Sequence, residues 1–297
     1  MNQKKKYAVI SHDAGGAELL SSLIHDTDLD CNYCIRGPAK NIFKNKLKIK
    51  NARNFEKIIE SSTRVLCTSS WESDHEYKAI KYAKKTKKHT IVLFDHWVFY
   101  KERLTRRNSF VIPDEIWVVD KYAKEIASKQ FPMVRIKIKK NYFLKNFQNY
   151  LSSNHTKVNT NTNTNNILYV CEPIKSHAIK MFNNAFYFGY DEFEALSFFL
   201  KTLPKLKIKY NKIIIRPHPS ESKMKYSYLK KISNKIFISN SKSLINDILS
   251  SHSVFGCDTM AMVVAKKLKK KVYCTIPKSG KDPSIPINGI IRLNKNY

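Results

Sequence analysis

Glycine is scarce, at 7 residues in 297, and acidic side chains number 24 against 54 lysines and arginines, a formal net charge of +30. So few glycines leave no room for glycine-rich phosphate loops: neither GxxxxGK[ST] nor GxGxxG occurs, which excludes the P-loop and the standard dinucleotide fingerprint. Long apolar runs are also missing, and none approaches the roughly 18 residues that cross a bilayer. The first apolar stretch, Tyr7 to Ile10, is broken by Ser11, His12 and Asp13, so the Lys4-Lys5-Lys6 start does not lead into a signal-peptide core and a cytoplasmic protein is expected. The six cysteines form neither a disulfide framework nor a zinc pattern, since the Cys31/Cys34 pair lies in a strand-like stretch with no second pair to complete it. No resident metal is expected.

What remains is a foldable chain with 42% hydrophobic and 12% aromatic residues. Its positive field would draw nucleic acid, an anionic membrane or an anionic substrate. A nucleic-acid binder interleaves aromatics with its basic patches, whereas Lys84-Lys85, Lys87-Lys88 and the Lys266–Lys271 run lack them. These runs read first as solvated surface, and next as peripheral attraction to an anionic membrane face. Nucleic acid is not expected as a partner.

Ser152 to Asn166 is nearly all Asn, Ser and Thr and has little to bury. It divides the chain into an N-terminal α/β domain (1–150), a linker (151–166) and a C-terminal α/β domain (167–297). On each side, short β-branched strands alternate with amphipathic helices, so the fold class is α/β: two doubly wound, Rossmann-like domains facing a cleft. In such sheets ligands bind beyond the carboxyl ends of the strands, which directs attention to the residues just after each strand.

After the first strand come Asp13 and then Gly15 and Gly16. Asp13 could take a proton from an incoming hydroxyl or cap a helix starting near Ala17, and the glycines would leave room for an acceptor. Asp95, His96 and Trp97 follow another strand; a carboxylate, an imidazole and an indole face suit a sugar, or else Trp97 is local packing. Ser69-Ser70-Trp71-Glu72 carries the same ambiguity. In the second half, Arg216-Pro217-His218-Pro219-Ser220-Glu221 ends a strand in a loop stiffened by two prolines, which holds a cation and an imidazole for a phosphate. Glu221 is read as a helix cap or a ribose ligand. The strand leading to Asp258 turns into a helix at Thr259 and Met260, whose amides would form an anion site, with Asp258 turned to a sugar hydroxyl or to Arg216. Glu172, after the opening strand of this half, could hold a nucleoside, as could the Tyr190-Asp191-Glu192 helix start.

An α/β chain of two domains with Arg216-Pro217-His218-Pro219 in its second half resembles the GT-B glycosyltransferases, in particular bacterial sialyltransferase-like and capsule-polysaccharide enzymes with a His-Pro motif. The resemblance implies that His218 binds the donor phosphate, that Thr259 completes the phosphate site and that Asp13 is the base, with Asp95 and His96 in reserve. It implies a metal-independent transferase moving a nonulosonate-type sugar from a CMP donor, as co-substrate, to a surface-glycan or lipid-linked acceptor. Asp258-Thr259 stands where that family more often has Ser-Ser, and the Ser-Gly-Gly element of the related 2-epimerases is absent. Alternatives are a CDP-glycerol-type transferase, an epimerase-like enzyme, or a basic polyanion-binding protein without catalysis.

Overall fold

The structure is a computed structural model that describes residues 5–70, 73–146, 165–241, 243–286 and 288–296. Apart from Asn165 and Asn166, the expected linker lies outside the described residues, as do Trp71 and Glu72. The chain divides into two compact units, Met1–Asn149 and Tyr150–Tyr297.

The first unit carries β1 (Tyr7–Ser11), α1 (Ala14–Thr27), β2 (Cys31–Ile35), α2 (Ala39–Lys46), α3 (Phe55–Glu60), β3 (Arg64–Cys67), α4 (His75–Lys85) and β4 (His89–Leu93). After α5 (Tyr100–Arg103), a small antiparallel hairpin of β5 (Thr105–Arg106) and β6 (Ser109–Phe110) precedes β7 (Glu115–Val118), α6 (Lys121–Gln130) and β8 (Arg135–Ile138). Six strands form one sheet in the order β2-β1-β3-β4-β7-β8, every pairing parallel. Tyr7 to Ile10 of β1, Val65 to Cys67 of β3 and Ile91 to Leu93 of β4 are buried apolar side chains, as strands covered on both faces require. Leu20, Leu23 and Ile24 of α1 pack on Val9, Leu66 and Ile91.

The second unit holds β9 (Asn166–Val170), α7 (Ile174–Phe182), α8 (Glu192–Thr202), β10 (Lys212–Arg216), β11 (Ile236–Ile238) and α9 (Leu244–Leu249). It continues with β12 (Ser253–Gly256), α10 (Met260–Lys267), β13 (Lys271–Cys274), β14 (Ile291–Arg292) and α11 (Leu293–Asn296). Its sheet runs β11-β10-β9-β12-β13-β14, again parallel throughout. Phe199 of α8 packs between Tyr169 and Phe255.

Both sheets change winding direction once. In the first, the chain goes from β1 outward to β2 and returns to the other side of β1 as β3; in the second, β9 leads to β10 and β11, and β12 returns to the far side of β9. The carboxyl ends of β1/β3 and of β9/β12 are therefore the two crevices where a doubly wound sheet takes its ligand. No helix among the described residues is long and apolar enough to cross a membrane.

Two boundaries differ from the sequence reading. Helix α1 begins at Ala14, three residues earlier than expected, because Gly15 and Gly16 enter the helix. Strand β9 begins at Asn166, inside the span assigned to the linker. Cys31 and Cys34, three apart on β2, fall on opposite faces of the strand and are free thiols.

Candidate functional site

At the β1/β3 crevice, Asp13 occupies the N-cap position of α1, yet its side chain makes no capping bond. Ser70 Oγ instead donates to Asp13 Oδ1 across the crevice at 2.7 Å, and His12 Nδ1 lies 2.8 Å from the same oxygen. The carboxylate is 19% exposed. Beneath it sits Glu76, from the first turn of α4. Its Oε1 accepts from the His12 backbone N–H at 2.8 Å and from Thr68 Oγ1 at 3.0 Å, and its Oε2 is buried with no hydrogen-bond partner among the described residues. Burial, reinforced by the charge on Asp13, pushes the Glu76 carboxyl up to about 7.

The glycine pair does not leave space for an acceptor. A Cβ on Gly15 would lie 2.3 Å from Asp95 Oδ2, and one on Gly16 would lie 2.7 Å from Thr68 Cβ, so both glycines admit close packing by neighbouring strands' ends. Asp95 thus lies against the N-terminal turn of α1, where its negative charge is favoured, with Arg103 Nη1 3.6 Å from its other oxygen. Trp97 is also corrected: it is 2% exposed and its Nε1 donates to Asp120 at 3.0 Å, so its face is core and unavailable for sugar stacking. His96 is half-buried beside that indole, the rings 5.4 Å apart.

In the second unit the Arg216-Pro-His-Pro loop follows β10, beside the β9/β12 crevice. His218 Nδ1 accepts the Ser220 backbone N–H at 3.3 Å and lies 2.7 Å from Ser220 Oγ, which assigns the ring proton of a neutral imidazole to Nε2. Glu221 neither caps a helix nor faces a ligand. Its side chain is 4% exposed: Oε2 accepts the His218 N–H, while Oε1 accepts from Lys225 Nζ and Tyr226 Oη, so it anchors the loop from beneath. Arg216 is turned inward, donating to Asp247 and to the Ser241 carbonyl.

Glu172, just past β9, spans the crevice itself: its Oε1 accepts the Asp258 N–H from beyond β12 at 2.8 Å. Burial first, and the neighbouring Asp258 charge second, push the Glu172 carboxyl up to about 8. Asp258 does not pair with Arg216, which meets Asp247 instead; both Asp258 oxygens take hydrogen bonds from Ser284, and Oδ1 also from Ile285. Thr259 is the N-cap of α10, and its Oγ1 accepts from the Ala261 N–H at 3.3 Å. A hydroxyl so engaged still has its own proton to donate, beside the half-buried Met260. Asp191 closes a capping box with Glu194, Glu192 pairs with Lys225, and Tyr190 is buried, so this helix start is structural.

Sequence reasoning missed Glu76, Ser70's bond to Asp13, and Asp247. Nothing in local sequence marks them, since each acts on a residue 31 to 64 positions away. Among the described residues no cluster of three or more His, Cys, Asp or Glu could hold a metal ion.

Two parallel doubly wound units, each with a polar crevice at its switch point, define the GT-B class of α/β fold. No protein-family model and no curated protein matches the chain. Among solved structures, it is similar to a variant of the wall teichoic acid polymerase TagF, with 13% identity and a TM-score of 0.51 over 92% of this chain and 70% of that one. It is likewise similar to the glycotransferase of kitacinnamycin, with 9% identity and a TM-score of 0.52 over 100% of this chain and 88% of that one. At such identities the likeness is one of fold.

Proposed function

We propose that the chain is a glycosyltransferase that moves a sugar from a nucleotide donor to a hydroxyl of a glycan or lipid-linked acceptor. The observation that carries the reading is Asp13, a switch-point carboxylate that stands at a helix N-cap without capping and is instead oriented by Ser70 and His12. A carboxylate oriented by two side chains and still 19% exposed suits removal of the acceptor's proton. In the second unit His218, with its proton on Nε2, faces the role of donating to the leaving phosphate. The Thr259 hydroxyl and the Met260 amide, at the N-terminus of α10, supply further donors. Ser220 fixes the His218 tautomer, and Glu172 and Glu221 hold the surrounding backbone in place. Arg216 supports this loop through Asp247. We read the nucleotide sugar as co-substrate with no resident cofactor, and no metal, because the imidazole N–H and the N-terminus of α10 offer hydrogen-bond donors to the charge on the leaving phosphate.

Within this reading the donor is a CMP-linked nonulosonate. The likeness to a wall teichoic acid polymerase favours a second reading, a CDP-glycerol-type transferase using the same grip. A thermal-shift screen across CMP, CDP, UDP and GDP, followed by nucleotide release from CMP-nonulosonate and CDP-glycerol, separates the two. Stabilisation by a cytidine nucleotide is expected. Asp13→Asn should keep that stabilisation and lose roughly a hundred- to ten-thousandfold in turnover. Full turnover in this variant would remove Asp13 from the role, and absence of any nucleotide-induced shift would overturn the transferase reading.

A further inference from the structure

Glu76 is a buried carboxyl that the transfer chemistry leaves unused. It stands in the first turn of α4, 2% exposed, beneath the β1–α1 turn that carries Asp13. Its Oε1 takes two donors, the His12 N–H at 2.8 Å and Thr68 Oγ1 at 3.0 Å. A hydroxyl has one proton, so with Thr68 donating to Glu76, Ser11 donates to Thr68 across 2.9 Å. Oε2 is buried without a hydrogen-bond partner among the described residues, and the proton of the neutral acid is held there. The donors on Oε1 favour the carboxylate, whereas burial and the bare Oε2 favour the acid, so both charge states are within reach.

The charge on Asp13 raises the Glu76 carboxyl, and coupling between two sites is mutual: an ionised Glu76 holds a proton on Asp13 more tightly by the same free energy. From the same turn as Asp13, His12 also acts on Glu76, while Cys67 of β3 stays a neutral thiol because burial raises it. His75, next to Glu76 on α4, is lowered to about 4 by burial and is neutral. Charges of α3 and β4 meet other partners, Glu56 acting on His75, and His89 answering to Arg64, Asp114 and Glu115. We propose that Glu76 is a positioning residue for Asp13: it holds the His12 backbone and, once its own proton leaves for solvent, sets a second negative charge beneath Asp13, making that carboxylate a stronger base toward the acceptor hydroxyl. The role rests on the reading of Asp13 as the base.

Two measurements on the full chain test it. Carbon-13 NMR of the assigned glutamate carboxyls, without donor or acceptor, follows the Glu76 titration directly. It should fall near 7 in the wild type and lower in Asp13→Asn, whose amide carries no charge; an unmoved titration in that variant would overturn the proposal. The second measurement is kcat/KM for nucleotide release from whichever of CMP-nonulosonate and CDP-glycerol is turned over. Glu76→Gln keeps an acceptor for His12 and Thr68 but cannot ionise. The ratio of wild-type to Glu76→Gln kcat/KM should climb about two- to tenfold from about pH 6 to about pH 8.5, and His12, present in both chains, cancels. A constant ratio, the mark of a merely structural Glu76, would overturn the proposal, and with an inactive Asp13→Asn it would leave the transferase reading standing. Full turnover by Asp13→Asn would overturn both.

Discussion

Asp13 owes its orientation to Ser70, so the two residues should fail differently. Removing the Ser70 donor withdraws a hydrogen bond that favours the ionised carboxyl. Ser70→Ala is therefore expected to keep much of the activity while moving the acidic limb of the pH–rate profile upward, which Asp13→Asn cannot do because it has no carboxyl left to titrate. An unshifted limb would show that Ser70 does not tune Asp13. Gly16 makes a different kind of prediction. Thr68 is fully buried at the end of β3 and cannot retreat, so Gly16→Ala should cost about 1–3 kcal/mol in denaturant unfolding.

At the level of elements, Ser69, Ser70, Ser73 and Asp74 are tied to the α5–β5 segment by two arginines. Arg103 reaches the Ser69 carbonyl and Asp95, and Arg106 reaches Asp74 and the carbonyls of Ser70 and Ser73. Arg103 is buried, so Arg103→Leu leaves the Asp95 charge without its ion pair, and a loss of about 3–5 kcal/mol is expected. The same substitution removes the bond to the Ser69 carbonyl beside Ser70, so residual folded protein should also lose turnover. Arg106→Leu, at the surface end of the strap, should lower stability far less, as a comparison of melting temperatures would show.

For the whole molecule, two raised carboxyls contribute to the pH dependence of stability. Glu76 titrates near 7 and Glu172 near 8 in the folded chain, against an ordinary value of 4.5 in the unfolded one. The folded state thus binds protons more tightly between those values, so stability falls as pH rises from about 4.5 through 8. Asp114, Glu115 and Glu192 are held below the usual carboxylate range by hydrogen bonds, from Lys84, from Trp117 and Lys137, and from the Lys175 N–H and Lys225 respectively; they act in the opposite sense, their contribution lost as pH falls through that lowered range, as does His75, which burial lowers to about 4. A maximum of melting temperature in mildly acidic buffer is expected. Glu172→Gln, whose amide oxygen still accepts the Asp258 N–H, should raise the melting temperature above pH 8 and change it little at pH 5. A wild-type profile rising steadily to pH 9 would contradict the assignment.

Sequence alone determined the parallel α/β architecture, because strands such as Thr90-Ile91-Val92-Leu93 are apolar on both faces and strands of that kind need helices on either side. It also placed Asp13, Glu172, His218 and Thr259 just past strand ends, since each lies within a few residues after a β-branched or apolar run. Helix α2 and strand β8 escaped it: α2 buries only Ala39 and Phe43, and β8 is an edge strand whose Arg-Ile-Lys-Ile alternation spans four residues and buries none of them fully. Roles among the strand-end residues were decided by tertiary structure alone. Whether Trp97 stacks on a sugar or fills the core, whether Gly15 leaves room or admits Asp95, and whether Glu221 meets a ligand or its own loop all depend on which distant side chain arrives beside it. Strand order makes that choice: pairing β1 with β3 brings Ser70 to Asp13 across 57 residues of chain.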